Sequence, residues 1–586
     1  MFDVAAPRDQ SRWVFPGFTS NTVATDLLWL LALAVLLIAT GIGLRDPWPA
    51  DEPRFALVAR DMVATGEWLL PRVGGQPYAD KPPLFFWLIA ACLEVTRSLR
   101  VAFLLPSFFA GCGCIALVYD LGRRLWNRET GLAAGLALLC TVQFVWQARQ
   151  AQIDATLCFW TTLSLYALLR HLLLGPAWRW YIVGWAAAGL GVITKGVGFL
   201  PLLVFVPYAI LRNPQWQPRL APTSSIPWLL GPLAFLAAVS IWLVPMLLAA
   251  NAHPELAAYR DEILFNQTIH RYGNAWHHRE PFWYFIVNVI PALWLPLTLL
   301  LPWLFGHWRS ALRSYDLRIA LLASWIVLVV VFFSLSSGKR GVYILPAVPA
   351  VALLCAPYLA KVAAQRSAQR AMFVLASLIG TLCVLAWIYL LLRSDKRVDL
   401  VASYDIDPLG PLALIAIAAM VVCGIARPWR GFIAYAGVLA SSLLIVSFWV
   451  NPQLNDARSG ADFVARIERT ADPRQELGLV AFKEQYVLQA RREIVHFGHA
   501  RWREAEQEMA DAALWLASKP GRQLVINEDA RAACFRDAPA QSLGAANRSE
   551  WFLVRGGADP ACVARGKPGA AHDYWPPVAP GTRLSS

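Results

Sequence analysis

Runs of about 18 or more apolar residues recur along most of the chain, separated by short charged or Pro/Gly-rich loops. A run of this length is long enough to cross the hydrocarbon core of a bilayer as a helix. Of the 586 residues, 57% are apolar and only 16% are charged, and the mean hydropathy is +0.47. These values exclude an ordinary soluble protein and predict an α-helical polytopic membrane protein.

The spacing of these runs predicts about thirteen membrane spans. They cover residues 27–44, 101–121, 131–147, 154–174, 179–194, 197–212, 227–250, 282–304, 318–336, 342–360, 371–392, 409–426 and 431–449. The run 84–97 is short and contains Glu94 and Arg97. We therefore expect it to be an interfacial or re-entrant helix rather than a span.

The basic residues support this count, because cytoplasmic loops carry an excess of Lys and Arg. If 84–97 is not counted as a span, the loops on one side of the membrane all hold basic residues. These are Arg123, Arg124, Arg128, Arg170, Arg212, Arg219, Arg309, Arg313, Lys361, Arg366, Arg370, Arg427 and Arg430. The N-terminus is then inside, and the chain after about residue 450 is outside. Topology and anionic lipid explain the net charge of +13 better than nucleic acid does.

From residue 451 the composition becomes that of a small soluble domain, which divides the chain into a membrane domain (1–450) and a tail domain (451–586). Apolar runs at 477–482 and 523–526 predict strands, and 501–517 has a helical pattern, so we expect an α/β fold. The Pro/Gly/Ser-rich end, from about Gly566, is expected to be disordered. Outside the cytoplasm, Cys534 and Cys562 could form a disulfide; two free thiols are the alternative.

The first outer loop, residues 45–100, carries an acidic pair and a lysine at a membrane face. It contains Asp51-Glu52-Pro53-Arg54 near its start and Asp80-Lys81-Pro82-Pro83 further on. On a helix, Asp51, Arg54 and Val58 share one face and could point into one cavity. The alternative is that Asp51-Glu52-Pro53 only begins a helix.

Other charged residues fall on the same predicted face. Asp154 begins a span and is either an N-cap or a second carboxylate of a site, paired with Arg149 or a first-loop lysine. Lys195 lies in a Gly-rich turn that suggests close approach by a ligand. Lys339 and Arg340 lie between spans. Topology does not require basic residues on the outer face, so these cations suggest a function, and snorkelling to the interface is the alternative.

The loop 251–281 contains Arg271, His277 and His278. Adjacent histidines near Asp80 could hold a divalent metal such as zinc, but two histidines are more often hydrogen-bonded surface groups. We therefore predict that no cofactor is required and keep the metal as the alternative. The chain has no Walker loop and no dinucleotide-binding glycine motif, which argues against an ATP-driven pump.

The sequence of the first loop resembles that of bacterial GT-C glycosyltransferases. Thr194-Lys195-Gly196 and the segment from Ser336 to Pro346 resemble motifs of the same proteins. The group is that of the aminoarabinose (lipid A) transferases and protein O-mannosyltransferases. The resemblance implies a polyprenyl-phosphate sugar donor, a lipid or glycan acceptor, surrounding membrane lipids, and an inner-membrane enzyme whose active site and tail domain are periplasmic. It covers about residues 25–450. It departs at Asp80, where lipid A transferases usually have Glu.

The resemblance also implies roles for residues of this chain. Asp51 and Asp154 would be catalytic, while Arg54, Lys81, Lys195, Lys339 and Arg340 would bind the donor phosphate. Glu52, Tyr78, Arg271 and His278 would line the cavity. The implied reaction is an inverting sugar transfer, of 4-amino-4-deoxy-L-arabinose or a related sugar, to an acceptor such as lipid A. The alternatives are a protein O-mannosyl-type transferase and a flippase for lipid-linked sugars, and the oligomeric state is left open.

Overall fold

Long apolar helices form the membrane part of the molecule because a bilayer leaves no other partner for backbone N–H and C=O groups. The computed structural model describes residues 22–211, 226–264, 280–404, 406–499 and 504–576. Up to residue 450 its α-helices are Val23–Ala34, Glu52–Thr65, Leu84–Thr96, Leu99–Ala102, Leu105–Leu125, Arg128–Leu139, Val142–Ala148, Ile153–Leu174, Trp178–Lys195, Phe205–Leu211, Ile226–Ala252, Ala257–Asp261, Ile290–Leu293, Leu301–Arg313, Leu317–Leu335, Val348–Ala363, Arg366–Leu392, Ser394–Tyr404, Leu409–Ala426 and Gly431–Ile445. Short 3-10 or π segments are Val35–Ala39, Leu200–Val204, Pro254–Leu256, Phe285–Val289, Thr298–Leu300, Gly341–Ala347, Pro428–Arg430 and Val446–Val450.

Each of the predicted spans falls on a helix or on a bent pair of helices. Among the described residues, 8 helices are long and apolar enough to cross a membrane, or up to 10 if each bent pair is one span. The remaining predicted spans correspond to Val23–Ala39, Trp178–Lys195 and Leu200–Leu211. The predicted interfacial segment 84–97 corresponds to helix Leu84–Thr96, a short apolar helix of 13 residues.

The two ends of the bundle differ in their charged contacts, which gives the bundle a polarity. At the end of helix Leu105–Leu125, Arg318 donates to the Leu125 carbonyl at 2.6 Å. At that same end, Arg128 and the Tyr119 hydroxyl both donate to the buried Asp26 carboxylate. Arg128, one of the predicted inner-face arginines, therefore lies at the same end of the bundle as Arg318.

The outer loop holds a hairpin of β1 (Arg72–Val73) and β2 (Gln76–Pro77). The tail domain is built on a separate mixed sheet of six strands, β3 (Leu477–Leu479), β4 (Ile494–His496), β5 (Gln523–Asn527), β6 (Ala540–Ala546), β7 (Ser549–Val554) and β8 (His572–Tyr574). Their order in the sheet is β6-β7-β5-β3-β4-β8. Its helices are Asn451–Ser459, Ala461–Thr470, Glu484–Gln489, Ala505–Ser518, Glu528–Cys534 and Pro560–Arg565. The α/β prediction is confirmed, including both predicted strands. The parallel pairs β4-β3-β5 lie at its centre.

Two features of the tail domain resolve expectations from the sequence. Cys534 and Cys562 form a disulfide with a Cα–Cα distance of 5.8 Å, so the free-thiol alternative is wrong. The expectation of disorder from about Gly566 is also wrong as far as residue 576. There, β8 pairs with β4 and closes one edge of the sheet.

The tail domain packs directly on the outer-loop helix Glu52–Thr65. Phe55 and Val58 of this helix share a buried apolar cluster with Tyr486 and Val487 of the tail domain. Arg60 donates to the Leu488 carbonyl at 2.8 Å and to the Tyr574 hydroxyl at 2.9 Å, and that hydroxyl donates to Asp61 at 2.7 Å. Burial raises the pKa of Asp61 to about 6.

A second contact joins the β1-β2 hairpin to the tail domain through His496. Its Nε2–H donates to the Gly74 carbonyl at 2.8 Å, while its Nδ1 accepts from the Gly498 N–H at 3.2 Å. These two partners fix the neutral tautomer. Burial is the main cause that lowers the pKa of His496 to about 4; the hydrogen bond to Gly74 opposes this shift, and the nearby His572 and His499 add to it. Gly74 has φ +57°, and a Cβ there would lie 2.9 Å from His496 Nε2.

We expect His496 to make the stability of the protein depend on pH. Its folded pKa of about 4 lies below the ordinary 6.5, so its contribution is fully present above pH 6.5 and is lost as pH falls towards 4. The loss amounts to about 3 kcal/mol. Unfolding measured from pH 7 to pH 4 should show this loss in the wild type and not in His496→Gln. Parallel pH curves for the two proteins would contradict the prediction.

Removing the disulfide should destabilise the tail domain. The bond closes a loop of 28 residues, and chain entropy assigns such a loop about 3 kcal/mol. In thermal unfolding, Cys534→Ala/Cys562→Ala should lose this amount, and a reductant should then have no further effect. Cys92→Ala, at a half-buried free cysteine, is the matched control.

Candidate active site

Asp51 directly precedes the outer-loop helix, and its side chain faces the membrane domain. It makes no capping hydrogen bond to the helix it precedes. Instead it accepts a hydrogen bond from Arg340 Nη2 at 3.1 Å, and 19% of its side chain is exposed. Burial opposes the charge on Arg340, but the Asp51 carboxylate raises the pKa of that guanidinium above its ordinary value. The helix-start alternative therefore does not account for the Asp51 side chain.

Asp154 and Lys195 form a second ion pair beside the first. Asp154 lies in the first turn of helix Ile153–Leu174, and its carboxylate is hydrogen-bonded to the Lys195 ammonium. The ammonium also lies 4.4 Å from the ring centroid of Tyr343. Arg340 interacts electrostatically with both Asp51 and Asp154. We call Asp51, Arg340, Asp154 and Lys195 the charged cluster.

The expected partner of Asp154, Arg149, is used elsewhere. Its guanidinium donates to the Leu37 and Thr40 carbonyls and to the hydroxyls of Thr40 and Ser447. Arg149 thus ties the first span to the helix that leads into the tail domain. Lys195, from the next span, neutralises Asp154 instead.

The turn that carries Lys195 is tight, as predicted, but a ligand is not needed to explain its glycines. The helix ends at Lys195, and Gly196 has φ +73°, a conformation that favours glycine. A Cβ on Gly198 would lie 2.0 Å from the Gly191 carbonyl carbon. Glycine at 198 therefore lets the chain fold back on the helix and fixes the position of Lys195.

Glu52, predicted to line the cavity, lies buried beneath the loop. It accepts hydrogen bonds from Arg45, from the Trp48 N–H at 2.9 Å and from the Ala151 N–H at 3.0 Å. Both of its carboxylate oxygens are engaged in this way. Its contacts hold the loop against the segment that begins the Asp154 helix.

Arg54 and Tyr78 meet at the boundary with the tail domain. Arg54 Nε donates to Glu484 Oε1 at 2.7 Å, and the Arg54 guanidinium lies 5.9 Å from the Tyr78 ring centroid. Tyr78 is buried, and burial together with the Asp80 charge raises the pKa of its hydroxyl. The phenol is therefore protonated at neutral pH.

The other predicted phosphate ligands take different positions. Lys339 is buried and donates to the carbonyls of Glu280 at 2.7 Å and Ser336 at 2.6 Å; burial lowers the pKa of its ammonium. Lys81 is half-buried immediately before helix Leu84–Thr96. The structure thus brings Arg340 and Lys195 directly against the carboxylates, whereas the described partners of Lys339 are backbone oxygens.

The predicted residues Arg271, His277 and His278 lie outside the described residues. Asp80 is described and exposed. No group of three or more His, Cys, Asp or Glu that could hold a metal occurs in the described part of the chain.

Three residues of the site region were not predicted from the sequence. Tyr343 lies four residues after Lys339 in a motif already noted, so its aromatic ring beside a cation was a usable signal. Glu484 and His499 come from the tail domain, where the sequence offers no such signal. His499 lies with its ring 6.1 Å from that of Tyr78.

This arrangement places two cations that can attract an anion beside two carboxylates. The guanidinium of Arg340 and the ammonium of Lys195 attract a phosphate, and two carboxylates lie within hydrogen-bonding distance of these cations. A membrane bundle whose charged cluster lies at one end, beneath an interfacial loop, is the architecture of a polyprenyl-phosphate-dependent glycosyltransferase of the GT-C type.

The fold comparison agrees with this class. The structure resembles the crystal structure described as ArnT from Cupriavidus metallidurans bound to undecaprenyl phosphate, with a TM-score of 0.70 and 20% identity, covering 91% of this chain and 98% of that one. The apo form gives the same TM-score. Residues 80–244 match the family model of dolichyl-phosphate-mannose-protein mannosyltransferase.

Sequence relatives define the family more narrowly. The undecaprenyl phosphate-alpha-4-amino-4-deoxy-L-arabinose arabinosyl transferase of Pseudomonas paraeruginosa is 31% identical over 437 residues, or 71% of this chain and 74% of the relative. Transferase 1 of Pseudomonas fluorescens is 32% identical over 63% of this chain and 67% of the relative. For transferase 2 of Pseudomonas fluorescens strain Pf-5, the match spans only 58% of the relative's length. This chain belongs to the family of undecaprenyl phosphate-aminoarabinose arabinosyl transferases.

The ion pair of Asp154 and Lys195 should be costly to break from one side. Only 11% and 14% of these side chains are exposed, so Lys195→Met removes the ion-pair partner of a buried carboxylate and should cost about 3–5 kcal/mol in unfolding. The double variant Asp154→Leu/Lys195→Met should recover most of this stability while remaining inactive. Equal stability of Lys195→Met and wild type would contradict the prediction.

Proposed function

We propose that this protein transfers 4-amino-4-deoxy-L-arabinose from undecaprenyl phosphate to a lipid acceptor such as lipid A, with inversion, on the periplasmic side of the bacterial inner membrane. The observation that carries the proposal is the pair of ion pairs Asp51–Arg340 and Asp154–Lys195, side by side at one end of the bundle. Family membership supports the donor. The end of the bundle that carries this cluster also carries the disulfide-bonded tail domain, which supports the orientation.

In the proposed reaction, Arg340 and Lys195 hold the donor phosphate at the membrane face, with Arg54, Lys81 and Lys339 contributing positive charge around it. An acceptor oxygen attacks the anomeric carbon from the opposite side. The bond from that carbon to the phosphate oxygen breaks, and its electron pair stays on undecaprenyl phosphate. The cations stabilise the charge as it builds on this leaving group. No nucleotide enters the step, and we propose that no cofactor is required.

The acceptor decides the role of the carboxylates. A phosphate acceptor, as on lipid A, is already anionic and needs no base, so Asp51 would orient the sugar or stabilise positive charge on its ring. A hydroxyl acceptor must lose a proton. Asp51 would then receive it, which typically contributes about 10²–10⁴-fold in rate.

A protein hydroxyl is the second candidate acceptor, because the family model that matches residues 80–244 is that of a protein mannosyltransferase. The alternative function, a flippase for lipid-linked sugars, is less well supported. Transporters place their polar sites near the bilayer midplane, whereas the charged cluster lies at one end of the described bundle.

The proposal is tested with purified protein in nanodiscs, radiolabelled undecaprenyl-phosphate aminoarabinose and lipid A. The wild type should transfer label to lipid A. The rate of transfer should be about 100-fold lower in Asp51→Ala and in Lys81→Ala, because each variant removes transition-state charge stabilisation. Asp395→Asn, in an exposed ion pair with Arg393, is the matched control and should keep full activity.

Parallel reactions separate the alternatives. Label on a Ser/Thr peptide instead of lipid A would replace the proposed acceptor. Lipid-linked sugar that crosses a liposome membrane without transfer to any acceptor would refute the transferase proposal and support the flippase.

A further inference from the structure

The tail domain provides a carboxylate that binds an arginine of the outer loop. Glu484 is the first residue of helix Glu484–Gln489 and lies 430 positions after Arg54. Its Oε1 accepts a hydrogen bond from Arg54 Nε at 2.7 Å, and 13% of the Glu484 side chain and 27% of the Arg54 side chain are exposed. A shielded, charge-assisted bond of this length is stronger than a surface ion pair.

The hydrogen bond with Glu484 is made on the Nε side of the Arg54 guanidinium. An arginine binds an oxyanion best through two parallel N–H groups. Because Glu484 accepts from Nε, it does not occupy the Nη1–Nη2 edge. The Tyr78 ring lies 5.9 Å from the guanidinium carbon, and the Tyr78 hydroxyl interacts with the same guanidinium. Glu484 and Tyr78 together therefore restrict how Arg54 can turn.

Glu484 is itself firmly placed. The three residues that follow Gln485, namely Tyr486, Val487 and Leu488, are all buried. Tyr486 and Val487 pack in the apolar cluster that includes Phe55, one residue after Arg54. Arg60 donates to the Leu488 carbonyl from the outer-loop helix. The helix that carries Glu484 and the helix that carries Arg54 are thus held in one packed unit.

We propose that Glu484 is a positioning residue of the transferase, which orients Arg54 so that the outer edge of its guanidinium meets the phosphate of the lipid-linked donor. The proposal rests on the transfer reaction proposed above. It assigns the tail domain a part in binding the donor, beyond covering the loop.

The test measures kcat and donor KM for Glu484→Ala, Glu484→Gln, Arg54→Ala and Glu484→Ala/Arg54→Ala. Glu484→Ala should raise the donor KM about tenfold with little change in kcat, because the lost hydrogen bond serves binding in the ground state. Glu484→Gln keeps an oxygen acceptor at the same position and should restore most of the affinity. In the Arg54→Ala background, Glu484→Ala should have no further effect, because Glu484 acts through Arg54.

Tyr574→Phe controls for loosened docking of the tail domain. It removes the hydroxyl that bonds to Asp61 and Arg60, in a contact separate from Arg54, and should leave the donor KM unchanged. The proposal is overturned if Glu484→Ala keeps the wild-type KM, if Tyr574→Phe reproduces its effect, or if the two Ala substitutions are additive. Failure of the proposed function would look different, since the wild type would then transfer no label.

Discussion

The buried carboxylate of Glu52 holds the outer loop to the membrane bundle, and the geometry of the site depends on it. It receives hydrogen bonds from Arg45 and from the backbone N–H groups of Trp48 and Ala151. Ala151 lies three residues before Asp154, and Glu52 follows Asp51 directly. One carboxylate therefore fixes the distance between the two acids of the charged cluster. Buried charges persist only when they are paired and fully hydrogen-bonded, and Glu52 meets this condition.

The tail domain also holds the outer loop in place. The contact of His496 with Gly74 and the contact of Tyr574 with Arg60 and Asp61 hold the loop from the side opposite Glu52. Each of these contacts joins a side chain of the tail domain to a group of the outer loop. Loop and tail domain share one apolar cluster, so they form a single packed unit rather than two domains joined by a linker.

The sequence predicted the membrane bundle, the α/β tail domain and the main charged residues, because hydropathy and ordered motifs report local structure directly. It did not predict which acid pairs with which base. Asp154 was expected to pair with Arg149 or a first-loop lysine, yet Lys195 is its partner because the Gly-rich turn brings the next span alongside. The resemblance placed Glu52 in the cavity, whereas its carboxylate is buried beneath the loop. Such errors arise because pairing depends on helix rotation and packing, which a linear pattern does not contain.

The contribution of the tail domain was invisible in the sequence for the same reason. Glu484 and His499 lie more than 400 positions after the residues they meet in the outer loop. Neither belongs to a motif with a spacing that chemistry would require. The disulfide was the exception, since only two cysteines lie in the tail and their compartment favours pairing.

The charged cluster has one further consequence for the kind of molecule that can enter. Arg340 and Lys195 each already have a carboxylate partner, so a phosphate that binds either cation directly competes with that carboxylate. Each phosphate that binds in this way leaves one carboxylate without its cation. A ligand that carries both a phosphate and an ammonium group brings the counter-ion for that acid with it, whereas a purely anionic ligand leaves the acid uncompensated. Charge balance alone would thus favour an amino sugar over a neutral one.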